Sequence, residues 1–516
     1  MLQFCPPLSP DFPLHTVAPE LVSVFEKAGF NTQGIAAHLG PQATEALYRG
    51  EPAAVEVATS GGSQMDLLIR LFLLHEQVPA TALADAVGSL LATKLVDSHI
   101  ALADSNGMVH IALDIRSHII DGTNRWVFSD ADASVVEHVP GPDHVLGVGA
   151  ASLSLLRTTP TTPVASVLDL GTGSGVQLLG QLDSAERIVA TDVHERALAL
   201  AQATIATTDA KNVEFRHGSW FEPVAGEKFD RIVANPPFVV GLPEVGHVYR
   251  DSGLNLDGAS ELVVSQAAEH LNEGGTAHLL AAWIHTSDNA WQQRVASWLP
   301  QTGVSAWVLQ RDVADPALYV STWLKDESID PRGKEGRKRS RLWLEHFRDN
   351  DVTGIGFGFV ALQKIDDSLP SEVTAEEIPQ AFDDALGSEV EEHFRRSAWL
   401  RNLLPDEIGD KKFGLRPGVA REDIALSNDE LGFGFTRATM RLTRTEGPRW
   451  THEVDEHLAS IVAGLNPHGL NLRETVELYA VANDVDADEL FAAAQPAIID
   501  LVRHGFLYPT ELGPVF

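Results

Sequence analysis

The chain changes its hydrophobic rhythm along its length, and each change predicts a different kind of structure. To about position 140, apolar residues recur mainly at helical spacing. The stretch "MDLLIRLFLLHEQVPATALADAVGSLLATKLVDSHIALADSNGMVHIAL" predicts a helix ending near His75, a second over 81–87 and a third over 89–96. It then alternates around Asn106-Gly107, a strong hairpin signal. Helix, turn, helix and hairpin in this order predict a winged-helix-like unit. Pro140, Gly141 and Pro142 mark a break. From 141 to 364, short apolar runs alternate with helical patterns. They predict strands at 166–170, 187–191, 213–217, 231–234, 277–282, 304–310 and 354–363. That alternation implies a parallel α/β sheet. The acidic stretch from Ile365 to Phe394 reads as linker or surface helices, and helical spacing returns in the last block. The expected organisation is therefore an accessory block at 1–140, an α/β domain at 141–364 and a mainly helical accessory block at 365–516.

Charge narrows the choice of partners. The 516 residues carry 72 acidic and 38 basic side chains, a formal net charge of −34. That balance disfavours a surface that grips nucleic acid over its whole extent, but not a local basic patch. Residues 1–140 hold 6 basic and 16 acidic side chains, which favours packing or substrate docking over DNA binding for that block. Cys5 is the single cysteine, so no internal disulfide and no cysteine-based zinc site can form. That usage fits a reducing compartment, and a cytoplasmic location is expected. The opening "MLQFCPPLSPDFPLH" has no basic leader and no long apolar run, so it does not read as a signal peptide. No run approaches the length of a membrane span. The 20 histidines are scattered without metal-ligand spacing, and no metal is expected.

The sharpest chemical signal is "VLDLGTGSGVQLLG". A strand ends at Leu170, a Gly-rich loop follows, and a helix begins near Val176. Gly171, Gly173 and Gly175 allow a tight turn and close backbone approach to a ligand, and the helix start adds free N–H groups. Asp169 precedes the loop at the carboxyl end of its strand, where open α/β sheets bind ligands. A dinucleotide site wants G-x-G-x-x-G facing pyrophosphate. Here the spacing is G-x-G-x-G beside an acid, which suits an ammonium group and hence S-adenosylmethionine. Asp192, 23 residues after Asp169, lies at the end of the next strand, near the spacing of an acid that accepts two ribose hydroxyls. Gly218, Ser219 and Trp220 end the third strand, where an adenine ring would lie. After the fourth strand come Asn235, Pro236, Pro237 and Phe238, and the prolines end the strand because neither can donate to a ladder.

This ordered set resembles the class I S-adenosylmethionine-dependent methyltransferases, specifically the small-methyltransferase-domain superfamily with an Asn-Pro-Pro-aromatic motif. That superfamily includes ribosomal RNA guanine N2-methyltransferases and release-factor glutamine methyltransferases. The resemblance covers roughly 141–364 and implies a Rossmann-like domain with a mostly parallel seven-stranded sheet. It implies cofactor contacts from Asp169, Gly171, Thr172, Gly173, Gly175, Asp192, Val193, Ser219, Trp220 and Asn235. Asn235 Oδ1 and the Pro236 carbonyl can accept two N–H bonds from a planar amine and orient its nitrogen for attack. Phe238, beside Pro237, offers a face for the planar group. Asn235, Pro236 and Phe238 are thus the candidate catalytic residues. Two positions depart from the protein-modifying relatives: Ser219 stands where an Asp is usual, and Phe238 where Tyr is usual. Phenylalanine is the usual residue in the RNA group, while "GSWFEPVAGEKFDRIVANPPFVV" is especially similar to the glutamine enzymes.

Outside the motifs, "GVGAAS" at 147–152 resembles the segment that enters such a domain. Tyr249, Arg250 and Asp251 follow the fourth strand, where a substrate-covering loop is common. "PRGKEGRKRSR" is the one dense basic run, and Gly333 and Gly336 suggest a mobile loop there. Its Arg337, Lys338 and Arg339 are candidate phosphate contacts. The expected activity is N-methylation of an exocyclic amine on an RNA base, with rRNA as partner. A release-factor or ribosomal-protein glutamine is the runner-up acceptor, and a non-catalytic cofactor-binding regulator is the rival from another class.

Overall fold

The computed structural model describes residues 6–131, 141, 143–243, 251–327, 329–380, 385–404, 406–428 and 432–513. The chain forms two compact units, one from residues up to 156 together with 161–377, the other from 157–160 and 378 onward.

The first unit begins with helices Leu14–Ala28, Thr32–Tyr48, Pro52–Ala58 and Gln64–Phe72. The last of these starts at a reciprocal cap. Ser63 Oγ accepts the Asp66 amide at 3.1 Å, and the Asp66 carboxylate accepts the Ser63 amide at 2.8 Å. Strand Val78–Pro79, helices Ala80–Val87 and Ser89–Asp97, and strands Ala101–Ala103 and Met108–Ile111 follow, with the last strand central in a three-stranded sheet. An antiparallel hairpin comes next, Leu113–Ile120 with Thr123–Asp130. It turns at Asp121 and Gly122, both at positive φ, as a two-residue hairpin requires. One hairpin face joins the amino-terminal core, where Phe25 meets Phe30, Phe72 and Trp126, each at a ring separation of 4.8 Å. The other face carries Asp114, Arg116 and His118 on alternate positions.

The central sheet is built from β1 (Val164–Leu170), β2 (Ala185–Asp192), β3 (Val213–His217), β4 (Phe229–Ala234), β5 (Leu271–Thr286), β6 (Val304–Ala314), β7 (Val352–Lys364) and β8 (Glu372–Glu377). Their spatial order is β8-β6-β7-β5-β4-β1-β2-β3. Each of the seven strands expected from the sequence lies within one of these. The sheet nevertheless has eight strands rather than seven, and it is mixed: β7 runs antiparallel to both β5 and β6. The additional strand β8 pairs parallel with β6 inside the acidic stretch read as linker or helix. Its Val373 and Ala375 alternate with Glu372, Thr374 and Glu376, and it sits half-buried at the sheet edge, so its apolar signal is weak. The strand order reverses between β1 and β4, which opens a crevice at their carboxyl ends.

The basic run is also not the loop it resembles. Residues 334–349 form the helix Lys334–Asp349. Gly336 is there for packing: a Cβ at this position would lie 2.2 Å from the Asp330 carbonyl oxygen.

The second unit contains helix Gly387–Arg401, helices Glu456–Gly464, Leu472–Asn483 and Ala487–Arg503, and a strand pair Phe413–Leu415 with Leu507–Pro509. It adds a three-stranded antiparallel sheet from Val419–Ser427, Phe435–Arg444 and Thr451–Val454, which the expectation of a mainly helical block missed. Among the described residues no helix is long and apolar enough to cross a membrane.

Candidate active site

The Gly-rich loop leaves β1 with Gly171, Gly173 and Gly175 all at positive φ, between 56° and 85°. At Gly175 a Cβ would make only ordinary contact with Ala201 at 3.5 Å, so the left-handed φ of 85°, not lack of space, calls for glycine here. The loop is closed by the Thr172 amide donating to the Thr191 carbonyl and the Gly175 amide to the Thr172 carbonyl, each at 2.8 Å. Behind it, Asp169 is 1% exposed and accepts the Thr172 hydroxyl at 2.7 Å. Burial pushes its carboxyl up to about 7 against the pull of the Thr172 bond.

Asp192 ends β2. Its Oδ2 accepts the Gly173 amide at 3.0 Å and its Oδ1 the His194 amide at 2.9 Å. The carboxylate thus fixes the loop to its neighbour and keeps lone pairs for a ligand. Burial raises its pKa, and these backbone N–H groups oppose the rise. Past β3, the Gly218 amide donates to the Asp192 carbonyl at 3.0 Å, and Trp220 adopts a left-handed φ of 47°.

These elements enclose one cavity of about 620 Å³. Its wall includes Gly171, Thr172, Gly173, Asp192, Val193, Ser219, Trp220, Asn235, Pro236 and Pro237. Every residue from 147 to 152 except Ala150 also lines it, and Asp251 joins them. Two buried acceptors there have no partner among the described residues, Gln177 Oε1 and Thr191 Oγ1. Such orphaned atoms in a nucleoside-sized cavity fit a polar ligand.

Gly175 and three further groups of expected residues stand outside the cavity wall. Asp169 lies behind the loop rather than in the wall. Phe238 is half-buried with its ring 5.1 Å from that of Phe357, outside the cavity wall. Tyr249 and Arg250 lie outside the described residues. Arg337 and Lys338 are exposed on helix Lys334–Asp349, and Arg339 is ion-paired with Glu327; none of the three lines the cavity. That helix instead supports the loop after Phe238, where Trp343 packs with Val239 and Val240, and the separate helix Pro316–Asp326 adds Tyr319, whose hydroxyl accepts the Val240 amide at 2.8 Å.

The sequence reading missed a whole wall. Asp114, Arg116, His118, Ser129 and Asp130 of the amino-terminal hairpin line the same cavity. Arg116 Nε donates to Asp114 Oδ1 at 2.7 Å. Asp130 is buried and ion-paired with Arg196, and it accepts the Val145 amide at 2.9 Å. His118 is held below its usual pKa, by burial first and by Arg116 in addition. The available signal was the run "LDIRSHII", with polar side chains at every second position of a strand.

An open α/β sheet with a Gly-rich loop after β1, an acid after β2 and a polar-aromatic pair after β3 defines a nucleoside-cofactor-binding domain. Residues 147–289 match the family described as "Methyltransferase small domain", so the chain carries such a domain in its central part. Residues 27–111 and 391–509 match two families described only as domains of unknown function. Among curated relatives, the release factor glutamine methyltransferase of Aliivibrio fischeri is 43% identical over 106 residues, covering 20% of this chain and 36% of the relative. The ribosomal RNA small subunit methyltransferase C of Erwinia tasmaniensis is 30% identical over 177 residues, covering 34% of this chain and 48% of the relative. The chain thus spans between about a third and a half of the length of these relatives. A solved structure of a T. thermophilus 16S rRNA N2 G1207 methyltransferase, with AdoMet and guanosine, aligns at 20% identity and a TM-score of 0.27, covering 38% of this chain and 52% of that one.

Proposed function

We propose that this chain is an S-adenosylmethionine-dependent N-methyltransferase acting on a planar exocyclic amine, an RNA base of the ribosome. The observation that carries the reading is the position of Asn235, Pro236 and Pro237 in the wall of the cavity that also holds the Gly-rich loop and Asp192. The similarity of residues 147–289 to methyltransferase small domains supports the same reading.

In this assignment Asp192 accepts the ribose hydroxyls, Ser219 and Trp220 flank the adenine, and the loop from Gly171 to Gly175 lies against the remainder of the cofactor. When bound, the cofactor supplies an electrophilic methyl group on a sulfonium. Asn235 Oδ1 and the Pro236 carbonyl accept the two N–H groups of the acceptor. They turn its nitrogen lone pair toward the methyl carbon and stabilise the positive charge that develops there. Transfer to a nitrogen so held would form the N–C bond as the S–C bond broke, and the nitrogen would then release a proton to solvent. No side-chain base is required before attack, because the newly methylated, cationic nitrogen is acidic enough to lose its proton unaided. Phe238 would stack on the acceptor after a rotation away from Phe357. A base must be unstacked to reach this site. Helix Lys334–Asp349 is the phosphate-contacting surface in this reading, and the amino-terminal helices with their small sheet act as a winged-helix-like docking module. Tyr249 and Arg250 are further candidate acceptor contacts, and the cytoplasm is the proposed location.

A second acceptor, a glutamine side-chain amide of a translation protein, is favoured by the 43% identity over 106 residues to a release factor glutamine methyltransferase. One experiment separates the two. Labelled methyl from S-adenosylmethionine is followed into RNA and protein fractions of a lysate from cells lacking the enzyme. Label in one RNA band supports the base reading, and label in one protein band supports the amide. Asn235→Ala should abolish transfer while cofactor binding persists; unchanged transfer would overturn the role given to Asn235.

A further inference from the structure

We propose that Arg116, held by Asp114, binds the carboxylate at the amino-acid end of the cofactor. The inference rests on the S-adenosylmethionine reading and adds to it a subsite supplied by the amino-terminal hairpin. Three observations carry it. First, Arg116 is committed at only one nitrogen. Its Nε donates to Asp114, while Nη1 and Nη2 have no hydrogen-bond partner among the described residues, and Nη2 is buried. An unpaired guanidinium fork in a cavity wall is costly unless a ligand completes it, and its two parallel N–H bonds match a carboxylate. Second, the same cavity offers the complementary group. Gln177 is 5% exposed, its amide nitrogen donates to the Ser152 carbonyl at 2.8 Å, and its Oε1 has no partner among the described residues. A free acceptor and a free cationic fork in one cavity suit an ammonium and a carboxylate on one carbon.

Third, the connections place this wall on the amino-acid side. Asp192 and Trp220 hold the adenosine end at β2 and β3. On the other side of the loop, Ser174 Oγ donates to the Leu146 carbonyl at 2.7 Å. The adjoining Gly147 is pressed against Ser129 of the hairpin, where a Cβ would meet Ser129 Oγ at 2.7 Å. The hairpin is therefore fastened to the Gly-rich loop through residues 145–149. His118, its pKa lowered by burial, adds no competing cation at neutral pH.

The test uses calorimetric binding to the full chain. The ligands are S-adenosylhomocysteine, its analogue lacking only the carboxylate, and 5′-methylthioadenosine, which lacks the whole amino-acid end. The wild type should bind S-adenosylhomocysteine about 10- to 100-fold more tightly than the decarboxylated analogue, as expected for a charged hydrogen-bonded pair. Arg116→Gln should remove that preference and leave 5′-methylthioadenosine affinity within about twofold. Arg116→Lys should restore part of it, since charge returns without the fork. Asp114→Asn should weaken S-adenosylhomocysteine but not 5′-methylthioadenosine, which marks Asp114 as a positioning residue. Equal wild-type affinity for the two homocysteine ligands would overturn the proposal, and needs no variant to fold. A loss shared equally by all three ligands in Arg116→Gln would overturn it too. Failure of the wild type to bind any of the three would instead overturn the cofactor reading itself.

Discussion

Gly241 lies directly against the indole of Trp343: a Cβ on Gly241 would stand 2.6 Å from Nε1 and 2.8 Å from two ring carbons. This packing joins the loop that follows Asn-Pro-Pro-Phe to helix Lys334–Asp349. The indole is 7% exposed and belongs to a cluster with Val240, Tyr319 and Phe347, so it has little room to move. Gly241→Ala should therefore displace the loop and cost about 1–3 kcal/mol by overpacking. Methyl transfer should fall more than S-adenosylhomocysteine affinity, because Asn235 moves and Asp192 does not. Thermal melts and binding on the same sample check this. Trp343→Leu in the Gly241→Ala background should recover part of the transfer.

A pH dependence follows from Asp169. Its carboxyl is raised to about 7 by burial, from an ordinary value near 3.8. The folded chain thus holds this proton more tightly than the unfolded chain. Its contribution to stability is complete below the unfolded value and is lost as pH rises through about 7. The unliganded protein should melt higher at pH 5.5 than at pH 8, and Asp169→Asn should shrink the difference. Thermal melts of the wild type and of Asp169→Asn at the two pH values measure both.

Much of the cavity wall on the side of the Gly-rich loop was legible in the sequence, because its parts are local. Gly171, Gly173 and Gly175 announce a turn, and Asp192 closes a strand. Asn235 is fixed by the prolines after it. The hairpin wall was not legible. Asp114, Arg116 and His118 alternate as on any half-exposed strand, and only tertiary packing turns that face into the cavity. Helix Lys334–Asp349 was hidden by Gly333 and Gly336, which read as loop formers. Gly333 caps the helix start, and Gly336 gives clearance to the Asp330 carbonyl. Strand β8 was masked by its own acidic residues at a sheet edge.

The basic helix gives a test of the RNA reading. Lys334, Arg337, Lys338 and Arg341 are exposed, and none is ion-paired among the described residues, whereas Arg339 is held by Glu327. Reversing Arg337, Lys338 and Arg341 to Glu should weaken binding of the unmethylated rRNA acceptor. The slope of log affinity against log salt should fall by about 0.7–0.9 for each phosphate that is no longer neutralised. Thermal stability should change little, because the three side chains are exposed. An unchanged salt slope would remove this helix from the RNA surface and favour the protein acceptor.

The second unit carries a buried charge network whose behaviour can be read without any ligand. Glu389 is 4% exposed and pairs with Arg396 at 2.6 Å and with Arg444 at 2.6 Å. Burial pushes its carboxyl up, but Arg396 and Arg444 more than reverse that, and the group is held down at about 2. A depressed carboxyl contributes stability that is present above its unfolded value, near 4.5, and is lost as pH falls through about 2. Glu389→Gln keeps the shape and removes the charge, leaving buried Arg444 without its carboxylate and Arg396 with Glu392 alone. The expected cost is about 3–5 kcal/mol near neutral pH, the range for breaking one member of a buried pair. The difference from wild type should narrow as the pH falls below about 4.5, because the unfolded wild-type chain then takes up a proton that the folded carboxylate, held at about 2, does not. Chemical unfolding of the full chain at pH 7 and pH 3, followed by a probe in this unit, measures both values. A constant difference across that range would mean that Glu389 acts through packing rather than charge.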